Sequence, residues 1–166
     1  WAVVREAGRG AEGLEDVLYV CPQCEGLHTL TTSGDALRCG RCGTAGRVDE
    51  YGFIRGFRFD NTVEWDAYQR AFGEALRQSV FSSPGRLDVH DYATLTRKRI
   101  GPVQAEYRDG TLILEGALAR RFAVAELSDV AVTMRSTLHF SSAGVDYVLR
   151  LERKVMPFLR ACQDRY

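Results

Sequence analysis

Four of the five cysteines stand in two Cys-x-x-Cys pairs, Cys21 with Cys24 and Cys39 with Cys42. Two residues between cysteines allow a tight turn that presents both sulfurs to one ion. Backbone N–H groups of that turn can then hydrogen-bond the sulfurs and spread their charge. Fourteen residues separate the pairs, enough for a hairpin that sets them face to face. The spacing predicts a structural zinc ribbon, with Cys21, Cys24, Cys39 and Cys42 as ligands and Zn2+ as the metal. An iron centre uses the same ligands, so the spacing leaves it open, although the surroundings offer no redox partner. A catalytic metal needs an open position with a base beside it. His28 is the only histidine nearby, and it falls on an expected strand as a surface residue. Cys162 falls on the apolar face of an expected last helix and reads as a small buried hydrophobe.

A second group with chemical potential is the basic run Arg97, Lys98 and Arg99. It is expected at a loop or strand edge between the first two strands of a C-terminal barrel. Clustered cations there can meet a phosphorylated lipid headgroup or another anionic partner. The plainer reading is a solvated surface run. Arg120 and Arg121 form a weaker pair. His90 and Asp91 are adjacent, so on a strand they point to opposite faces and cannot form an orienting dyad. The chain has no P-loop, no dinucleotide-binding glycine fingerprint and no nucleophile-elbow motif.

The elements that must place these residues follow from period and punctuation. Residues 1–16 read as a Gly-rich lead-in. Residues 17–60 read as the ribbon, with a strand from Val17 to Val20, a hairpin turning at Ser33, Gly34 and Asp35, and an aromatic strand from Val48 to Phe59. Asn61 followed by Glu64 is a capping-box pattern. It opens an expected helix over 61–80 whose apolar stripe is Trp65, Tyr68, Phe72, Ala75 and Leu76. Ser82, Ser83, Pro84 and Gly85 then mark an expected stop and domain boundary, so that 61–85 joins two modules. From residue 86 the period changes to alternation, predicting six or seven short antiparallel strands with turns at Asp109 and Gly110 and at Ser142 to Gly144. A helix from about Val155 closes the chain, with Val155, Leu159, Cys162 and Tyr166 on one face and Pro157 tolerable only in its first turn. The expected class is therefore α+β, mostly β. It comprises a zinc ribbon, a helix, and over 86–166 a small antiparallel pleckstrin-homology-like (PH-like) barrel capped by its C-terminal helix.

Bulk properties narrow the function classes. Lys and Arg together number 22, as do Asp and Glu, so the formal charge is zero. Residues 1–60 carry 7 basic against 9 acidic side chains, the wrong balance for a ribbon that reads nucleic acid. Residues 81–166 carry 13 against 10, a mild lean toward anionic partners. No apolar run approaches the ~20 residues of a membrane-spanning helix. The first residue is Trp1, which leads us to expect a piece of a longer parent.

A resemblance sharpens this. It rests on residues 11–24, on Thr29 and Leu30, on the Ser33–Asp35 turn and on the knuckle from Cys39 to Gly43. It also takes in Asp49 to Phe53 and Glu64 to Gln69. Together these resemble the C-terminal extension of certain bacterial lysophospholipid acyltransferases, the 1-acylglycerol-3-phosphate acyltransferase family. The resemblance spans roughly residues 11–70. It departs at Glu25, where a glycine is common, and at Tyr68, where tryptophan is usual. It implies a parent enzyme of phospholipid biosynthesis at the cytoplasmic face of the membrane. In that parent an N-terminal acyltransferase domain precedes the ribbon, and the membrane surface or acyl-carrier protein is a partner. The family's catalytic signature is a histidine with an aspartate five positions on. Ser33, Leu95 and Gly144 stand five beyond His28, His90 and His139, so this chain is expected to be inactive alone. The alternative, a free-standing zinc-ribbon module that binds protein or nucleic acid, ranks below it.

Overall fold

The computed structural model describes residues 8–163. Tyr166, expected on the face of the last helix, lies outside them. The chain forms two compact units, one ending at Phe72 and the other beginning at Gly73.

The first unit is a four-stranded antiparallel sheet in the order β1 (Leu30–Ser33), β2 (Ala36–Cys39), β3 (Ala45–Val48), β4 (Ile54–Arg55). Gly34, at φ 61°, makes the β1–β2 turn possible. Residues 1–7 of the expected lead-in lie outside the described residues, and residues 8–16 belong to this unit. Gly10 N donates to Asp35 Oδ1 at 2.6 Å, Ala11 N donates to Gly34 O at 3.0 Å, and Ala11 is fully buried. The single aromatic strand expected over Val48 to Phe59 is instead the end of β3, a turn and β4. Asp49 closes that turn by accepting from the N–H groups of Tyr51 and Phe53 at 3.0 and 2.9 Å. Gly46 lies so close to β4 that a Cβ there would sit 2.2 Å from Arg55 O.

Helix α1 (Thr62–Gln69) locks the unit. Asn61 caps it, accepting from Glu64 N at 2.9 Å, as the capping pattern predicts. Trp65 is fully buried, its indole N–H donates to Val20 O at 2.8 Å, and Phe57 and Phe59 pack at 5.1 and 6.4 Å between ring centroids. Gln69 is equally buried. Its Oε1 accepts from Tyr19 N at 2.9 Å and its Nε2 donates to Val17 O at 2.8 Å. One amide side chain thus satisfies the backbone of the Val17–Val20 segment in the way a neighbouring strand would. That segment makes only one strand bridge, Val20 with Leu27, rather than the strand expected of it.

The helix expected over 61–80 is broken. Residues Arg70–Phe72 form a 3-10 turn and α2 (Gly73–Arg77) follows, so the division between units falls inside the expected connector. Gly73, a poor helix former, stands at the break.

The second unit is a seven-stranded antiparallel sheet in the order β8-β7-β6-β5-β11-β10-β9. The strands are β5 (Phe81–Asp91), β6 (Thr96–Arg108), β7 (Thr111–Gly116), β8 (Arg120–Ala123), β9 (Ser128–Thr133), β10 (Thr137–Ser142) and β11 (Val145–Leu151). Pairing of the first strand with the last curls the sheet into a half-barrel, and α3 (Val155–Cys162) packs as its C-terminal helix. This is the PH-like class expected from the sequence. Asp109 and Gly110, at φ 47° and 69°, and Ala143 and Gly144, at φ 50° and 76°, form the tight turns that the hairpin residues announce. Alternate residues (Val103, Ala105 and Tyr107 on β6; Leu112 and Leu114 on β7) are buried, while their neighbours face solvent.

Two further expectations need correction. Ser82 to Gly85 are not a stop: they lie within β5, at the centre of the sheet. Pro84 is tolerated there because its free side faces the end of β11. Pairing with β11 stops at Gly85 and Leu151, and Pro84 O accepts from Glu152 N at 3.0 Å. On α3 the buried residues are Val155, Pro157, Phe158, Ala161 and Cys162, with Leu159 only half-buried. Phe158, packed edge-on at 4.9 Å against Phe81, sets the helix rotation.

Substituting Gln69 by Leu keeps the volume but strands the Tyr19 N–H and Val17 C=O away from water. The expected loss is about 2–4 kcal/mol, read as a lowered denaturant midpoint for the first unit. Gln69→Glu keeps the acceptor for Tyr19 N but sets a buried carboxylate against Val17 O and Asp66 Oδ1, so it is expected to lose at least as much.

Candidate metal centre

The ligating thiols sit on two knuckles of one design. In the first, Cys21 N donates to Gly26 O at 2.9 Å and Glu25 N donates to Cys21 O at 2.8 Å. In the second, Cys39 N donates to Thr44 O at 2.8 Å and Gly43 N donates to Cys39 O at 3.0 Å. The sequence offset is eighteen in every pair of partners, so the two turns are backbone copies of each other. Gly40 N, donating to Thr29 O at 2.8 Å, ties one knuckle to the other.

The copies converge. The four sulfurs of Cys21, Cys24, Cys39 and Cys42 all lie within 4.8 Å of one another. Cys21 Sγ is 3.8 Å from Cys42 Sγ, and Cys24 Sγ is 3.7 Å from Cys39 Sγ. A metal–sulfur bond of about 2.3 Å in a regular tetrahedron gives sulfur–sulfur edges of about 3.8 Å. The donor set therefore fits one tetrahedral ion, and the separations are far too long for disulfides. All four cysteines are free thiols. Among the described residues no other group of histidines, cysteines and carboxylates converges in this way.

The surroundings treat the sulfurs as anions in waiting. Each knuckle aims backbone N–H groups at its sulfurs: those of Gln23 and Cys24 at Cys21 and of Gly26 at Cys24. In the second knuckle Arg41 and Cys42 serve Cys39, and Thr44 serves Cys42. Burial pushes the Cys21 thiol up to about 12 and raises Cys24. Burial also opposes the Cys39 thiolate, but the Thr29 hydroxyl, 3.2 Å away, and the N–H groups outweigh it and bring Cys39 down to about 6. The Thr44 hydroxyl, 3.2 Å from Cys42 Sγ, and the Thr44 N–H lower Cys42. Thr29 and Thr44 are parts of the site that spacing alone does not reveal.

Glu25 and Gly43 follow the second cysteine of each knuckle, and both take left-handed backbone, at φ 58° and 78°. Glycine adopts that conformation freely, whereas glutamate pays for its Cβ. His28, expected on a strand, sits instead in a turn at φ 56° before β1 and is not one of the converging ligands. Of the other histidines, His90 lies on β5 and His139 on β10, and burial, followed by the nearby His90 and Arg97, lowers the His139 imidazole. Cys162 is buried on α3, and burial raises its thiol to about 12, in keeping with an inert core residue.

The structure places Arg97, Lys98 and Arg99 not in a loop but within β6, paired with His90, Val89 and Asp88 of β5. Strand alternation sets Lys98 on the opposite face from its two neighbours. Arg120 is engaged elsewhere: its guanidinium donates to Tyr147 OH at 2.7 Å and lies 5.1 Å from the centre of the Phe122 ring.

Removing the metal with a chelator is expected to release the first unit's protection. Hydrogen exchange at Leu37 and Cys39 accelerates, while Leu114 and Leu149, which belong to the second unit's core, stay protected. Glu25→Gly is expected to raise the first unit's stability by about 1 kcal/mol in chemical denaturation by relieving left-handed strain, with metal stoichiometry unchanged.

No family model, curated protein or solved structure matches the chain.

Proposed function

We propose that the chain is a non-catalytic accessory region organised by a structural zinc ion, and that it serves a lysophospholipid acyltransferase of phospholipid biosynthesis. The observation that carries the non-catalytic part is the closed donor set. Four thiols occupy all four corners of a tetrahedron, leaving no position for substrate or activated water. Zinc fits a site of four thiolates that needs no redox change and no particular ligand field.

The choice of parent is supported by the residues of the resemblance and by the work they do. The knuckles, the Asp49 turn, Trp65 and Gln69 are the groups that close the first unit. A related extension would need the same groups in the same order. In this reading the ribbon is a rigid spacer beside the acyltransferase domain, and the PH-like half-barrel presents a binding face to the membrane surface or to acyl-carrier protein. The site of action is the cytoplasmic side of the membrane, reached through the parent. No described helix is long and apolar enough to cross a membrane.

Two measurements test the reading. The purified chain is expected to hold one zinc per molecule by elemental analysis and to transfer no acyl group to lysophosphatidate. The coding sequence upstream of Trp1 is expected to encode a domain with a His-x-x-x-x-Asp motif. Acyl transfer by the isolated chain contradicts the non-catalytic assignment. An upstream sequence without that motif contradicts the parent, and salt-sensitive binding to RNA or DNA would then favour a nucleic-acid module.

A further inference from the structure

The half-barrel gathers arginines from three neighbouring strands onto one face. Arg86 on β5 and Arg150 on β11 are direct cross-strand partners. Two like charges set opposite each other repel, so this pairing costs stability unless an anion lies between them. Asp88 follows two residues after Arg86 and shares its face. Its β6 partner is Arg99, and Arg97 Nε donates to Asp88 Oδ2 at 2.6 Å.

A β-bulge makes this convergence possible. The register of β5 and β6 shifts between Leu87 and Asp88, where the pairing steps from Gly101 to Arg99 and leaves Ile100 over. Gly101, at φ 133°, supplies a backbone conformation that favours glycine. With regular pairing, Arg97 and Arg99 would share a face with the buried Val103 and Ala105. The extra residue turns both onto the solvent face, beside Arg86 and Arg150.

The result is a cleft of about 400 Å³ lined by Arg86, Asp88, Arg97, Arg99, Gly101 and Arg150. Its four arginines face one carboxylate, and Arg97 already engages that carboxylate. Arg86, Arg99 and Arg150 have no ion-pair partner among the described residues. The chain as a whole is neutral, so the concentration of charge is local.

We infer that this cleft binds a phosphate group carrying two or more negative charges, as a phosphomonoester or a pyrophosphate. A carboxylate offers one charge and is satisfied by a single guanidinium fork. A terminal phosphate offers three oxygens, so Arg86, Arg99 and Arg150 can each donate to a different one. Lys98, central to the basic run in sequence, lies on the other face and takes no part. The site stands on the second unit alone. Its failure would leave the zinc-based reading intact, and the converse also holds.

The test uses the full chain with inorganic pyrophosphate in calorimetric titration. It also uses sedimentation with phosphatidylcholine vesicles, plain or doped with phosphatidate. The expected result is pyrophosphate binding that weakens about tenfold or more in Arg86→Glu and in Arg99→Glu. Lys98→Glu should stay within about twofold of the parent chain, because its side chain is outside the cleft. Arg86→Glu places a carboxylate opposite Arg150, so its melting temperature should not fall, which separates lost binding from lost fold. Arg99→Ala serves as a second, milder variant. Arginine-dependent sedimentation with phosphatidate vesicles assigns the phosphate to a lipid headgroup. Pyrophosphate binding without vesicle binding assigns it to a soluble phosphate ester. Absence of binding to both probes, binding indifferent to the arginine variants, or equal weakening by Lys98→Glu overturns the site.

Discussion

Four sulfurs must be brought within bonding distance of a common point, about 2.3 Å, and the first unit is arranged around that demand. So short a segment buries little apolar surface, and thiolates crowded together repel until an ion neutralises them. The chain meets the demand by building one knuckle twice and holding the two turns together through the Gly40–Thr29 bond. Trp65 and Gln69 then fix the Val17–Val20 segment that delivers Cys21. The metal and the helix therefore act from opposite ends of the same short segment.

The ligands were legible because metal chemistry constrains residue type and spacing together. The hairpin turns at Gly34, Gly110 and Gly144 were legible because only certain residues take positive φ without strain. The supporting groups were harder to see. Thr29 and Thr44 look like ordinary polar residues in sequence, and only folding sets their hydroxyls 3.2 Å from a sulfur. Gln69 reads as the polar edge of a helix, yet it is buried as a substitute for a missing strand. The helix over 61–80 misled because its apolar stripe continues through Leu76, although residues on either side of Gly73 serve two different cores.

The second unit teaches the same lesson at a bulge. A run of three basic residues looks like one patch, but the pleat of a strand divides it. Arg97 and Arg99 join partners 11 and 13 residues before, and some 50 residues after, while Lys98 is left behind. Ser82 to Gly85 looked like a terminator because serine, proline and glycine cluster there. A strand carries them because Pro84 needs no donor on the side where β11 has ended.

The central claim is a closed tetrahedron of thiolates around a single ion in the first unit. X-ray absorption at the zinc edge of the purified chain tests it most directly. The account predicts four sulfur neighbours at about 2.3 Å and no nitrogen or oxygen in the first shell. A histidine nitrogen among the neighbours would contradict the four-thiolate assignment, and a water oxygen would contradict closure itself, because the site would then be open and capable of chemistry.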